Sequence, residues 1–130
     1  MTDKIHDRSE LNDITKRVIG CAYEIHRVLG CGFLEKVYEN ALMHELGRHE
    51  IRAEQQVSMK VYYDDAVVGE YFADIVVEGV VLVELKAVSS LETVHEAQCL
   101  NYLKATGLRV CLLLSFGKPR LEIRRFVNNF

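Results

Sequence analysis

The segment VVLVELKAV, residues 80–88, constrains the fold more than any other stretch of the chain. A strand with one face in water alternates apolar and polar residues, whereas this run is almost continuously apolar and rich in valine. It therefore calls for a central strand covered on both sides. Glu84 and Lys86 interrupt it. Two residues apart on a strand, they share a face, and Leu85 points into the opposite layer. Burying an unpaired carboxylate or ammonium there is costly unless each finds a partner or a metal. Two readings fit the strand alone: a structural Glu84–Lys86 ion pair at a strand end, or a functional site.

The layers that cover this strand are legible on either side of it. Leu11, Ile14, Val18, Ala22, Ile25 and Leu29 recur at steps of three and four, one apolar helix face closed by Gly30. Leu34, Val37, Tyr38, Ala41, Leu42 and Leu46 repeat the pattern up to Gly47, giving a helical hairpin. The period then drops to two. Val57, Met59 and Val61 alternate with polar residues, Asp64-Asp65 marks a turn, and 67–77 is the returning strand. Glu78-Gly79 turns into the central strand. Ser89 and Glu92 have the spacing of a capping box, predicting a third helix to about Lys104 with Gly107 as its stop. VCLLLSF, 110–116, is a second buried strand, parallel to the first because a helix links them. Gly117-Lys118-Pro119 leads into a more polar last strand, 121–127. The order ααβββαββ predicts an α/β fold, a mixed central sheet flanked by helices, with residues 1–130 as one domain. A chain of 130 residues, 49% of them hydrophobic, is long enough to bury such a core unaided.

A second acid changes the balance. Asp74 lies in the apolar stretch YFADIVVEG, and Asp74 and Glu84 are symmetric about Gly79, so the hairpin should bring them face to face. Two facing carboxylates repel unless a cation sits between them. A hard ion such as Mg²⁺, satisfied by few carboxylates and several waters, suits that arrangement.

These residues carry a resemblance. Asp74, nine further residues, then Glu84-Leu85-Lys86 resembles the D-x(n)-(D/E)-x-K signature of the PD-(D/E)xK nuclease superfamily, with Ala73 where a proline usually stands. Gly32-Phe33-Leu34-Glu35-Lys36-Val37-Tyr38 is similar to the G-x-x-E-x-x-Y motif of the GxxExxY proteins within it. His95-Glu96-Ala97-Gln98-Cys99-Leu100-Asn101-Tyr102 resembles the Q-x-x-x-Y helix of the RecB-like branch, and the likeness spans residues 11–117.

The resemblance implies a restriction-endonuclease-like core and metal-dependent phosphodiester hydrolysis, on DNA ahead of RNA, leaving a 5′-phosphate and a 3′-hydroxyl. Asp74 and Glu84 would bind Mg²⁺, with Mn²⁺ as the alternative, helped by Glu35 and the Leu85 carbonyl. Lys86 would orient the attacking water or stabilise the phosphorus centre. Glu35 has a second reading, a first-turn glutamate favoured by the helix dipole. His95, Gln98 and Tyr102 fall within an arc of about 60° on their helix. That stripe either faces the site and binds substrate, or is helix surface with a buried tyrosine and a satisfied interface histidine. The rival function is a nucleic-acid-binding or assembly module that keeps the fold without the chemistry. In either case a homodimer or a protein partner would supply substrate choice.

Charge and cysteine usage narrow the partners. A net charge of −3 argues against avid non-specific nucleic-acid binding. After residue 103, however, Lys104, Arg109, Lys118, Arg120, Arg124 and Arg125 stand against Glu122 alone. That basic tail is either a phosphate-contacting edge or a strand edge guarded by arginines. Cys21, Cys31, Cys99 and Cys111 form no C-x-x-C pair and are expected to stay reduced. A zinc site from Cys21, His26 and Cys31 matches no standard spacing. The charged start MTDKIHDRSELND lacks a signal-peptide core, and no apolar run suits a bilayer, so a cytoplasmic chain without membrane contact is expected.

Overall fold

Residues 81–86 form the middle strand of a five-stranded sheet and are almost wholly buried. The structure, a computed structural model, describes residues 7–128. Its elements run α1 (Arg8–Leu29), α2 (Glu35–Arg48), β1 (Ala53–Tyr63), β2 (Ala66–Val77), β3 (Val81–Lys86), α3 (Thr93–Thr106), β4 (Val110–Ser115) and β5 (Glu122–Val127). This is the ααβββαββ order expected. The sheet order is β1-β2-β3-β4-β5, antiparallel except for the β3–β4 pair that α3 connects.

Both faces of β3 are covered, which is why its sequence cannot alternate. Val81, Val83 and Leu85 join Leu112 and Leu114 in the larger core beneath α1 and α2, where Leu11, Val18, Leu42 and Leu46 are buried. Leu82 faces the other way, with Cys99 and Leu103 of α3 and with Cys111 and Leu113. Among the described residues all four cysteines are free thiols, three of them buried. No described helix is long and apolar enough to cross a membrane.

One helix start, that of α3, differs from the sequence expectation, and that of α1 is set by a cap outside its apolar face. α1 begins earlier than its apolar face, because the Asp7 carboxylate accepts the Glu10 N–H at 2.8 Å and Glu10 returns the bond. α3 begins later. Glu92, not Ser89, is its N-cap, and the Glu92 N–H donates to His95 Nδ1 at 3.0 Å. Residues 88–91 are held away from the helix by distant groups: Ser115 Oγ donates to the Val88 carbonyl at 2.8 Å, and the Leu91 N–H donates to Glu122 at 3.2 Å. Gly107, in the left-handed region at φ 76°, ends α3 as expected.

Near residue 74 the sheet changes character. Ile75 and Val77 pack into the α1–α2 core, but Ala73 and Tyr71 pack on the α3 side. β1 switches in step, with Ala53 on the first side and Val57 and Met59 on the second. The ladder rungs Gln55↔Ile75 and Val57↔Ala73 bracket the switch, and between them Gln56 adopts φ 54°. Gln56 is the left-handed residue of β1 at this switch, and the register is the same on either side of it.

Candidate active site

Asp74 and Glu84 meet where the β2–β3 ladder ends. Its rungs are Val77↔Val81, Val76↔Leu82 and Ile75↔Val83, so the next position sets Asp74 opposite Glu84, as the symmetry about Gly79 requires. There side chains take over from the ladder. Glu84 Oε2 accepts the Asp74 N–H at 3.1 Å, and Asp74 Oδ2 accepts the Leu85 N–H at 2.9 Å. Each carboxylate is thus oriented by the opposite strand and keeps its other oxygen out of these bonds.

The electrostatics of the pair are unfavourable as they stand. Glu84 is only 8% exposed. Burial, and then the charge of Asp74, push its carboxyl up to about 8, against the Asp74 N–H and Lys86, which favour ionisation. Asp74 is also raised, chiefly by burial, with Glu39 and Glu35 adding repulsion. The acids are therefore short of positive charge at neutral pH. The ion-pair alternative for β3 is not what the structure holds: among the described residues Lys86 makes no salt bridge, although its charge reaches both acids.

Lys86 is placed by its main chain. Its carbonyl accepts the Phe116 N–H at 2.9 Å, and Ser115 clasps Val88 two residues on. Gly117 is required at this crossing, since a Cβ there would stand 2.1 Å from the Val88 carbonyl oxygen.

From α2, Glu35 is exposed in the first turn, and its charge reaches Asp74 across the rim. The motif tyrosine has a packing task. Tyr38 is fully buried, stacks on Phe116 at 4.6 Å, and donates its hydroxyl to the Gly30 carbonyl at 2.6 Å, pinning the α1–α2 corner. Glu39, which the sequence reading did not single out, is buried at 4% exposure, whereas Glu45, the other buried acid of this helix, is taken up by Arg48 and His49. Glu39 accepts bonds from Gln55 and Gln56, pairs with Lys36 at 3.1 Å, and its charge reaches both Asp74 and Glu84. A signal existed, because Glu39 shares the apolar stripe of Leu42 and Leu46 at helical spacing.

The α3 stripe divides by position. Tyr102 stacks on Tyr71 at 3.8 Å, and burial, then the Glu84 charge, raise its hydroxyl. Gln98 is exposed one turn earlier. His95 gives Nδ1 to the cap of its own helix. In the basic tail, Arg124 pairs with Glu122 at 2.9 Å and with Glu96 at 3.5 Å, and Arg125 donates to Asn12 at 2.6 Å. These arginines tie β5 to the chain's own acids and amides.

Among the described residues no group of three or more His, Cys, Asp or Glu side chains is set to hold a metal ion. The closest association of acids with chemistry is the Asp74–Glu84 pair with Lys86 following on the same strand. No curated protein and no solved structure matches the chain at a significant level. A family model described as the PD-(D/E)XK nuclease superfamily does match, over residues 12–126. That span runs from α1 into β5 and includes the hairpin that opposes Asp74 and Glu84 with Lys86 two residues on, and on this ground the chain belongs to the PD-(D/E)XK nuclease superfamily.

Proposed function

We propose that the chain is a metal-dependent nuclease that hydrolyses phosphodiester bonds, DNA ahead of RNA, with its centre at Asp74, Glu84 and Lys86. The observation that carries this reading is the rung at which Asp74 and Glu84 each take a main-chain N–H of the opposite strand. Two fixed, repelling carboxylates are a donor set that suits Mg²⁺, or Mn²⁺, since such ions need few protein carboxylates and keep several waters. Asp74 and Glu84 would hold the ion, with Glu35 and the Leu85 carbonyl as further donors. When bound, it lowers the pKa of a water ligand and offsets charge on the phosphate.

The chain's own residues supply the rest. Lys86, with no carboxylate partner among the described residues, acts as a point charge toward the phosphate or the attacking water. Glu39, through Gln55 and Gln56, keeps β1 in place opposite Asp74. Gln98 and Tyr102 offer polar groups from α3, and His95 has only Nε2 left for substrate. The G-x-x-E-x-x-Y and Q-x-x-x-Y stretches support a place among the GxxExxY proteins of the RecB-like branch.

The test is cleavage of single-stranded, duplex and branched DNA and of RNA, with Mg²⁺ or Mn²⁺, beside Asp74→Asn and Lys86→Ala. At least one substrate should be cut by the wild type and by neither variant. Binding without cleavage of any substrate would favour the non-catalytic module.

A further inference from the structure

The α1–α2 corner presents apolar surface beside Glu35. Phe33 is 46% exposed and Leu34 80% exposed. With Gly32, Glu35, Lys36, Ala87 and Gly117 they line an open depression. Its walls tie it to the candidate centre: Ala87 directly follows Lys86, and the charge of Glu35 reaches Asp74.

The Phe33 ring is held in advance of any ligand. It meets Tyr38 edge-on, centroids 6.1 Å apart at 73°. Tyr38 is itself fixed on Phe116 and accepts the Phe33 N–H at 3.3 Å. Gly32, at φ 114°, makes the entry into this corner. A ring ordered this way loses little conformational freedom when something stacks on it.

We infer that Phe33 is a stacking platform for an unpaired base next to the phosphate at Lys86, which makes single-stranded nucleic acid the substrate class of the site. The inference rests on the nuclease reading and deepens it. An intact duplex keeps its bases stacked inside and has no free π-face to offer, whereas a single strand offers one at every nucleotide. A strand held at Asp74 and Lys86 passes this depression, because Glu35 stands in its wall with its charge reaching Asp74, and Ala87 of the same wall adjoins Lys86 in the chain.

The chain contains no tryptophan, so Phe33→Trp creates a single fluorescent reporter at the platform. The titration keeps Lys86 and omits divalent ions so that no strand is cut, adding oligothymidylate, oligouridylate or a DNA duplex to this variant. Both single strands should change the emission saturably and the duplex should not. A DNA-only response would narrow the class to single-stranded DNA. Phe33→Ala should weaken single-strand binding, read by anisotropy of a labelled strand, on the order of tenfold, with duplex binding unchanged. The inference is overturned if the emission stays flat while anisotropy shows the strand bound, if Phe33→Ala binds like its parent, or if no single strand binds. Cleavage of duplex by the wild type in any of those cases would leave the nuclease reading intact. Quenching by single strands without cleavage of any substrate would keep the platform and remove the nuclease.

Discussion

Gln56 stands opposite Asp74 between the rungs Gln55↔Ile75 and Val57↔Ala73, in the left-handed region at φ 54°. Its amide donates to both oxygens of Glu39, at 3.1 and 3.0 Å. The strand switch at this position sends Ala73 toward α3 and Ile75 toward α1 and α2, which leaves Asp74 at the boundary where the Leu85 N–H reaches it. Backbone strain, a buried acid of α2 and the orientation of Asp74 are thus parts of one arrangement.

Substitutions at Gln56 should separate strain from hydrogen bonding. Gln56→Ala loses the bonds to Glu39 and keeps the left-handed backbone, destabilising by about 1–3 kcal/mol. Gln56→Gly loses the same bonds but sheds the strain, about 1 kcal/mol. Glycine should therefore be the more stable variant in urea unfolding, the reverse of the usual order within a strand. An alanine variant as stable as the glycine one would show that the backbone there is unstrained.

Glu84 makes apo-protein stability depend on pH. Its carboxyl is raised from 4.5 to about 8 in the folded state, so the folded chain holds this proton more tightly than the unfolded chain. The resulting stabilisation is complete below 4.5 and is lost as pH rises through about 8. Asp74, also raised, acts with the same sign. Unfolding free energy of the metal-free protein should fall by on the order of a few kcal/mol across that window. Glu84→Gln should flatten the slope and exceed the wild type in stability at the alkaline end. A wild-type profile that is level or rising over the window would contradict the buried acid pair.

Divalent ions should relieve the same repulsion. Thermal unfolding with and without Mn²⁺ should show stabilisation of about 2.7 kcal/mol at a hundredfold excess over Kd. Asp74→Asn should abolish the response while its apo form is at least as stable as the wild type, since one repelling charge is gone and an amide oxygen can still accept the Leu85 N–H. Lys86→Ala should keep the response and lose cleavage. Absence of any shift in the wild type at millimolar Mn²⁺ would remove the metal centre.

The arginines of β5 should matter little to nucleic-acid affinity. Arg124 and Arg125 already have partners in Glu122, Glu96 and Asn12. Replacing Arg124 and Arg125 together by glutamine should change the slope of log affinity against log salt by less than about 0.7, the worth of one phosphate contact on a single strand. A larger fall would mean that these pairs open and the guanidinium groups turn to the backbone of the nucleic acid.

The elements and their order were legible because apolar periodicity reports which faces must leave water. The central place of β3 followed from a run with no polar face, and the opposition of Asp74 and Glu84 followed from a hairpin whose register extends symmetrically from Gly79. The start of α3 was not legible. Ser89 and Glu92 have the local spacing of a cap, but bonds from Ser115 and Glu122, far along the chain, hold residues 88–91 out of the helix. Glu39 escaped for a related reason. Its place on the apolar stripe of α2 marked it as unusual, but beyond the local Lys36 its bonds come from the Gln55 and Gln56 amides, which only β1 delivers. The chain's own pattern determined the strands, the helices and the two acids that face each other. Tertiary structure decided which groups surround those acids and how far their charges are from being balanced, because burial and hydrogen bonding between distant residues exist only once the layers have packed.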